Sequence, residues 1–291
     1  MLTNAFTVDV EDYFQVSAFA ERARPGDWTG YQSRVVNSTH RILRLLADRD
    51  TRGTFFILGW VADRHPELIR DIHRDGHELG THSYWHQLVY DQTPEEFRAD
   101  LRRSIEAIDR AAGTRPRVYR APSFSITQRS TWALEILRDE GILIDSSIFP
   151  IRHDRYGMPS IDPAPHHAPL GCEGLWEVPP SIFKFGSVSV PIAGGGYFRI
   201  FPEFLTRRLQ SRFIDQQQRP LVFYIHPWEV DPDQPRMPAK PLTSFRHYRN
   251  LHATEPRLER MLDRISFGTL GELVQNYESG QFRRQPELAA A

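Results

Sequence analysis

The chain alternates short apolar segments with longer amphipathic ones. Apolar and β-branched residues fill Ala5 to Val10 and Gly53 to Leu58, and a nearly all-apolar run covers Pro220 to Ile225, which predicts three buried strands. Segments with apolar residues at helical spacing lie between the strands. The clearest is Thr93 to Ala112, which opens with Thr-Pro-Glu-Glu and stops at Gly113. This alternation predicts an α/β fold built on a parallel sheet.

The predicted strands are compatible with an open parallel sheet or with a barrel. Regularity falls away over residues 150–200, where prolines and the Gly194-Gly195-Gly196 run predict a loop-rich elaboration. We expect residues 1–280 to form a single catalytic domain, with residues 227–280 as a C-terminal extension. Residues 281–291 are predicted to be a frayed tail.

Composition narrows the class of protein. Hydrophobic residues make up 40% of the 291 positions and charged residues 25%, as in an ordinary soluble enzyme, and a net charge of −1 argues against a nucleic-acid partner. The single cysteine, Cys172, excludes an internal disulfide. The N-terminus lacks a basic segment followed by an apolar one, and the longest nearly apolar stretch is too short to span a bilayer. We therefore expect a cytoplasmic protein without a membrane span, whose oligomeric state the sequence leaves open.

Two histidines stand four residues apart, at His82 and His86. On one helical turn both imidazoles would lie on the same face, roughly 6 Å apart at Cβ, close enough to share one divalent metal ion. Such a site needs a further ligand. The acidic residues Asp9, Glu11 and Asp12, at the end of the first predicted strand, are the candidates.

Five polar clusters follow predicted strands in order along the chain. They are Thr7-Val8-Asp9-Val10-Glu11-Asp12, His82-Ser83-Tyr84-Trp85-His86, Arg120-Ala121-Pro122-Ser123-Phe124, Asp145-Ser146-Ser147-Ile148-Phe149 and Ile225-His226-Pro227. Because the carboxyl ends of parallel strands meet at one face of a barrel, we expect the clusters to form one site. His65, His73 and His77 lie outside them and are predicted to be surface residues.

This order of motifs resembles the polysaccharide deacetylase family, the NodB homology domain of carbohydrate esterase family 4. The family pattern is an acidic pair after the first strand, H-[ST]-x-x-H, R-x-P-x-aromatic, an aspartate motif, and a late strand that ends in a histidine. The resemblance covers roughly residues 5–275 and implies a distorted (β/α) barrel of about seven parallel strands. Within the family, the sequence is similar to the branch found in exopolysaccharide-export gene clusters, which begins D-V-E-D-[YW]-F and carries an extra C-terminal segment.

The resemblance implies one bound divalent metal ion, zinc or a similar one. His82 and His86 would bind it, together with a carboxylate from the first cluster. The family has two adjacent aspartates at this place, whereas this chain has Asp-Val-Glu-Asp. This departure leaves Glu11 and Asp12 as alternatives for the third ligand.

The resemblance also implies the residues that transfer protons. Asp9 would be the catalytic base, and Arg120 would hold it through a charge-assisted contact. His226 would be the general acid, oriented by Asp145, which would also raise the pKa of His226.

The implied activity is that of a hydrolase acting on carbon–nitrogen bonds other than peptide bonds. It would remove N-acetyl groups from the amino sugars of a polysaccharide or oligosaccharide, in exopolysaccharide biosynthesis. Aromatic residues near the clusters are predicted to contact sugar rings: Trp85, Phe124, Tyr197 and Trp228. The altered acidic cluster keeps two alternatives open, namely allantoinase-like hydrolysis of a small cyclic amide and a catalytically silent carbohydrate-binding protein.

Overall fold

A computed structural model describes residues 3–153, 156–169, 172–186, 188–217 and 219–279. The predicted frayed tail, residues 281–291, lies outside the described residues. The strands are β1 (Asn4–Val10), β2 (Thr54–Ile57), β3 (Glu78–Thr81), β4 (Val118–Tyr119), β5 (Ile144–Asp145), β6 (His166–His167), β7 (Trp176–Glu177), β8 (Ile182–Phe185), β9 (Val188–Pro191), β10 (Val222–Ile225) and β11 (Phe267–Gly268). The α-helices are α1 (Val35–Ala47), α2 (Gly59–Arg64), α3 (Pro66–Arg74), α4 (Pro94–Ala112), α5 (Trp132–Asp139), α6 (Gly195–Ile200), α7 (Glu203–Gln217), α8 (Pro241–Tyr248), α9 (Leu251–Leu262) and α10 (Leu270–Glu278).

The main sheet has nine strands, in the order β10-β1-β2-β3-β4-β5-β7-β6, with β11 also paired to β1. All its pairs are parallel except β6 with β7 at one edge. The sheet curls into a half-barrel, so the predicted α/β fold with a barrel-like parallel sheet is confirmed. Eight parallel strands take part, where about seven were expected.

The inner face of the sheet is apolar near the amino-terminal ends of its strands and polar near their carboxyl ends. Ala5, Phe56, Ile144 and Val222 pack with Leu270 of α10 in one buried cluster near the amino-terminal ends. Because side chains alternate with period two, the inward positions that follow lie closer to the carboxyl ends of the strands. Several of those positions are polar and buried, which prepares a site at that end of the barrel.

Capping residues at both ends account for α4, the helix that the sequence predicts most clearly. Thr93 caps α4 in a reciprocal capping box with Glu96, and Gly113 ends the helix with φ 69°, a left-handed conformation that glycine adopts easily. A cap of this kind is worth about 1 kcal/mol. The apolar face of α4 lies against α2 and α3 on the outside of the sheet.

The region predicted to be irregular, residues 150–200, contains short elements. Among them are β6, β7, the β8–β9 hairpin and α6. Ser181, just before the hairpin, exchanges hydrogen bonds with Val222 through its backbone N–H and its hydroxyl, and so links this region to the outer edge of β10. Within the described ranges, no helix combines the length and the apolar character needed to cross a membrane.

Candidate active site

Three side chains near the carboxyl ends of β1 and β3 form a group that could hold a metal ion. One donor atom from each of Glu11, His82 and His86 lies within 4.8 Å of the others. Glu11 Oε2 is 2.8 Å from His86 Nε2, and the two imidazole rings are 5.2 Å apart. All three residues are buried or nearly so.

A tight turn, and not the helical turn considered above, brings the two histidines together. Ser83 and His86 have positive φ angles of 64° and 54°, which is uncommon for residues with a Cβ. Asp100 of α4 stabilises this backbone, because its carboxylate accepts hydrogen bonds from the N–H groups of Tyr84 and Trp85. The i,i+4 spacing was therefore informative for a reason other than helix geometry.

The chemistry of the three donors fits a divalent cation of the zinc class. His82 Nδ1 lies 2.8 Å from the carbonyl oxygen of Arg120, and since a carbonyl only accepts, Nδ1 carries the proton and Nε2 keeps a lone pair. Burial, the largest influence, lowers the pKa of His82 to about 4, so its ring is neutral near pH 7.

The carboxylate is also suited to an ion. Burial alone would raise the pKa of Glu11, but His86, with smaller contributions from His226 and His82, lowers it to about 2. Its Oε2 is buried and has no hydrogen-bond partner among the described residues, although His86 Nε2 is only 2.8 Å away. Two ligands of one ion can approach each other in this way without aligning as a hydrogen bond. Two imidazoles and a carboxylate, with positions left for water or substrate, form a common catalytic zinc set.

Asp12, the other candidate for third ligand, is engaged elsewhere. Its carboxylate accepts hydrogen bonds from the backbone N–H groups of Arg34 and Val35 at the start of α1 and from the Ser33 hydroxyl. Helix N-termini leave such N–H groups without intrahelical partners, and an aspartate satisfies them well. Burial raises the pKa of Asp12 despite these bonds. Of the two alternatives, the structure places Glu11 with the histidines.

Asp9 is held by a fully buried arginine. Arg120 Nη1 donates to Asp9 Oδ1 and to Thr7 Oγ1, both at 2.8 Å. The remaining guanidinium nitrogens donate to the hydroxyl and the carbonyl of Ser146, and the group lies 4.2 Å from the centre of the Phe56 ring. This multiple anchoring fixes the direction of Asp9 and leaves Oδ2 facing the mouth of the barrel, 3.7 Å from His226 Nε2.

His226 follows β10 and faces the acidic residues from the other side. Its Nε2 lies 3.7 Å from Asp9 Oδ2 and 3.6 Å from Glu11 Oε1, too far for hydrogen bonds. Its Nδ1 is 2.7 Å from Glu229 Oε1. Burial alone would lower the pKa of His226, but the bond to Glu229, followed by the charge of Glu11, raises it to about 9. This environment favours the charged form of the ring, whose Nε2 faces the site.

Glu229 is in turn held by Arg199 of α6. Arg199 Nε lies 2.5 Å from Glu229 Oε2, and its other nitrogens donate to the carbonyl oxygens of Arg246, His247 and Arg249. Burial opposes ionisation of Glu229, but Arg199 and then His226 lower its pKa to about 2. Sequence reasoning missed both residues. Glu229 could have been found three positions after His226, whereas Arg199 gave no local signal.

The partner expected for His226 was Asp145, and the structure corrects this expectation. Asp145 pairs in register with Tyr119 and Glu177, and its carboxylate accepts a hydrogen bond from the Ser147 hydroxyl. The neighbouring residue Ser146 points inward to Arg120, so the alternation along β5 turns Asp145 to the outer face. Burial raises the pKa of Asp145 to about 6.

The four predicted sugar-contacting residues occupy different environments. Trp85 and Tyr197 are partly exposed. Phe124 is buried beside Phe149 and Tyr224, next to Arg120. Trp228 is also buried, at 6% exposure, and stacks between His226 and His247. Trp228 thus lies behind the general-acid candidate and does not present a free face to a sugar.

Two family models match consecutive parts of the chain. Residues 29–141 match the model described as polysaccharide deacetylase, and residues 146–275 match the model described as a domain of unknown function, DUF3473. His82, His86 and Arg120 lie in the first segment, and His226, Glu229 and Arg199 in the second. The extra C-terminal segment expected from the resemblance is consistent with the second match.

Curated relatives match only part of this chain. A peptidoglycan-N-acetylglucosamine deacetylase of Bacillus cereus is 32% identical over 98 residues, which are 33% of this chain and 36% of that protein. A chitin deacetylase of Colletotrichum lindemuthianum is 34% identical over 92 residues, 30% of this chain and 37% of that protein. The chain thus spans little more than a third of the length of these relatives.

Solved structures are similar over nearly the whole chain. A Mycobacterium smegmatis protein assigned to the polysaccharide deacetylases has a TM-score of 0.63 at 20% identity, covering 99% of this chain and 93% of that one. The allantoinase Puue has a TM-score of 0.60 at 16% identity, covering 94% and 89%. At these identities the likeness shows the fold alone. The family models and the curated relatives show that residues 29–141 of the chain are a polysaccharide deacetylase segment, which is followed by a DUF3473 segment over residues 146–275.

Proposed function

We propose that the protein is a metal-dependent hydrolase that removes N-acetyl groups from amino sugars of a polysaccharide. One observation carries the proposal: the Glu11, His82 and His86 group lies beside a carboxylate and a cationic histidine at one barrel mouth. Residues from both family-model segments meet there, which supports a single catalytic domain over residues 1–280. The relatives named for peptidoglycan and chitin deacetylation support the reaction class.

Glu11, His82 and His86 would hold the ion, which we propose to be zinc. When bound, a divalent ion acts as a Lewis acid towards a carbonyl oxygen and lowers the pKa of water. An acetamide is a poor electrophile and water a poor nucleophile, so hydrolysis near neutral pH needs both effects.

The chain's own residues would move the protons. Asp9 Oδ2, left free by Arg120, is placed to accept the proton of the attacking water. His226 carries its Nε2 proton towards the same space and would donate it to the leaving amine. Glu229 bonds the opposite ring nitrogen, which orients the imidazole and favours its charged form. Water would add to the acetyl carbon, the C–N bond would break, and acetate and a free amine would leave.

The substrate is proposed to be a chain of sugars. Trp85 and Tyr197 are partly exposed, and we propose that they contact sugar rings, with Phe124 supporting the wall next to Arg120. The resemblance to the exopolysaccharide-cluster branch supports a place for this reaction in exopolysaccharide biosynthesis. Binding energy from sugars distant from the reacting centre can be used in the transition state, so activity should rise with chain length.

The test is acetate release by the zinc-reconstituted protein from N-acetylglucosamine monomer, trimer and hexamer, measured beside ring opening of allantoin. We expect the hexamer to be the best substrate in both kcat and kcat/KM. Equal rates on monomer and hexamer would contradict the extended site. Turnover of allantoin alone would establish the cyclic-amide reaction instead, and binding of the hexamer without acetate release would establish a silent carbohydrate-binding protein.

A further inference from the structure

Trp228 lies directly behind the candidate metal site. It sits in a short helical turn, Pro227–Val230, that immediately follows His226. Its ring stacks on His226 with centroids 5.1 Å apart and on His247 with centroids 4.1 Å apart. Gln234 donates a hydrogen bond to its carbonyl oxygen, which fixes the turn. Stacking on two faces defines where the edge of the indole points.

That edge carries the N–H group, which reaches the carboxylate of the metal group. Trp228 Nε1 donates to Glu11 Oε1 at 3.3 Å. The other oxygen, Oε2, is the one that lies 2.8 Å from His86 Nε2 and has no hydrogen-bond partner among the described residues. One oxygen of Glu11 is therefore occupied by the indole, and the other is turned to the histidines.

We propose that Trp228 is a positioning residue of the metal site, whose indole N–H holds Oε1 of Glu11 so that Oε2 is presented to the ion. This inference rests on the metal-dependent function proposed above. It also gives the DUF3473 segment a part in metal binding, because Glu11 directly follows β1, whereas Trp228 lies in the segment that matches DUF3473. A carboxylate without this bond could rotate about its last C–C bond and lose the direction that the ion requires.

Groups that orient metal ligands typically contribute 10- to 100-fold in metal affinity. Trp228→Phe keeps an aromatic ring between His226 and His247 but removes the N–H donor. We expect its zinc dissociation constant, measured by competition with a chromophoric chelator, to rise about 10- to 100-fold. The thermal unfolding midpoint of the metal-free protein serves as the check on folding.

Trp176→Phe is the matched control. Trp176 Nε1 also donates to a glutamate, Glu278, at 2.9 Å, but on β7 and α10, away from the metal group. Zinc affinity should be unchanged in this variant. Equal zinc affinity in the wild type and Trp228→Phe would overturn only the proposed role of Trp228. A wild-type protein that binds no zinc would overturn the proposed function as well.

A measurement on the wild type covers the case in which Trp228→Phe does not fold. The protein contains six tryptophans, and each indole N–H gives its own signal in a ¹⁵N-correlated NMR spectrum. Zinc should shift a signal from an indole whose N–H exchanges slowly with solvent. A spectrum in which zinc shifts no indole signal would overturn the proposal.

Discussion

Two glutamate–histidine pairs lie on opposite sides of the barrel mouth and are alike in most respects. Glu11 pairs with His86, and Glu229 with His226, at 2.8 and 2.7 Å. Both glutamates are buried, and in both the pKa is lowered to about 2 against the effect of burial. The difference lies in the oxygen that faces the histidine. Glu229 Oε1 forms a hydrogen bond with His226 Nδ1, whereas Glu11 Oε2, although close to His86 Nε2, has no hydrogen-bond partner among the described residues. The other oxygen is bonded in both glutamates, by Arg199 in Glu229 and by Trp228 in Glu11.

This difference agrees with the two proposed roles, in which Glu229 orients a proton donor and Glu11 binds a metal ion. With both oxygens hydrogen-bonded, Glu229 fixes the ring of His226 and raises its pKa. Glu11 instead keeps a lone pair of Oε2 available next to neutral His82. Residue type alone therefore does not tell the two proposed roles apart, but the hydrogen bonding of the carboxylate oxygen that faces the histidine does.

The largest effect is expected from removing the two histidines of the candidate metal group. In the double variant His82→Ala, His86→Ala, acetate release should fall by more than about 10⁴-fold and zinc should be lost, because a single carboxylate remains. Zinc content is measured by elemental analysis after gel filtration. The control is His166→Ala, His167→Ala, a second histidine pair on β6. Full zinc occupancy in the first double variant would contradict the assignment.

Removal of the proton donor should give the next largest effect, without loss of metal. His226→Ala is expected to lower kcat by about 10²–10⁴-fold, the range for general acid–base catalysis. The variant should still bind one zinc ion, because His226 is not one of the three donors and His247 still stacks on Trp228. Loss of zinc in this variant would make His226 a ligand, and the two pairs would no longer differ in function.

The buried Arg199–Glu229 ion pair is expected to contribute to stability. The two side chains are 1% and 0% exposed, so Arg199→Met removes the arginine that neutralises a buried carboxylate and leaves that carboxylate with His226 alone, at a cost of about 3–5 kcal/mol in the free energy of unfolding. The measurement is urea unfolding of the metal-free protein. Adding Glu229→Gln should restore part of the loss, because the carboxylate that Arg199 neutralised is then removed.

An exposed pair gives the matched control for this stability test. Arg260 donates twice to Glu203, at 2.6 and 2.7 Å, but the two side chains are 54% and 37% exposed. Arg260→Met should cost at most about 1 kcal/mol. If the Arg199 and Arg260 variants were destabilised equally, burial would not make the Arg199–Glu229 pair more important for stability than an exposed pair.

The smallest effect concerns His77, a buried histidine that makes no hydrogen bond or ion pair with a carboxylate among the described residues. Contrary to its predicted surface position, His77 is buried and its Nδ1 accepts a hydrogen bond from the N–H of Gly53. Burial lowers its pKa to about 4, with Asp75 opposing the shift and Arg52 adding to it. The unfolded chain then binds more protons between the folded pKa of about 4 and the unfolded value of about 6.5, so this stabilisation is complete above pH 6.5 and is lost as the pH falls to 4.

His77→Gln keeps an acceptor and removes the titration. Unfolding free energies of the metal-free wild type and variant, measured from about pH 7 down to about pH 4.5, should therefore converge as the pH falls. Curves that stay parallel over this interval would show that burial alone does not set the pKa of His77. That result would also weaken the parallel with His82, whose lowered pKa is attributed chiefly to burial.

The sequence was sufficient to predict the fold class. Each strand and helix has its own local pattern of apolar residues, and the alternation of strands and helices along the chain indicates a parallel sheet. It also brought forward Asp9, Glu11, His82, Arg120 and His226, which lie at or beside the ends of parallel strands. These residues do meet at one mouth.

The residues that contact and orient those site residues could not be predicted in the same way. Asp145 was misplaced because a two-residue strand gives too little alternation to show which face a side chain takes. Trp228 beside a histidine has the appearance of a sugar platform, and its burial depends on His247, which lies nineteen positions further on. Arg199 reaches Glu229 and three carbonyl groups only through tertiary packing.

The position of β1 in the sheet has a consequence for the order of events during folding. β1 pairs with β2 on one side and with β10 on the other, and a bond between Asn4 and Leu221 spans 217 positions. Contacts of this separation form late, since a long loop must close before they contribute. During synthesis, Glu11, His82 and His86 leave the ribosome well before His226. The nascent chain therefore acquires its candidate ligands first and gains its candidate proton donor only when the final third has been translated and docked.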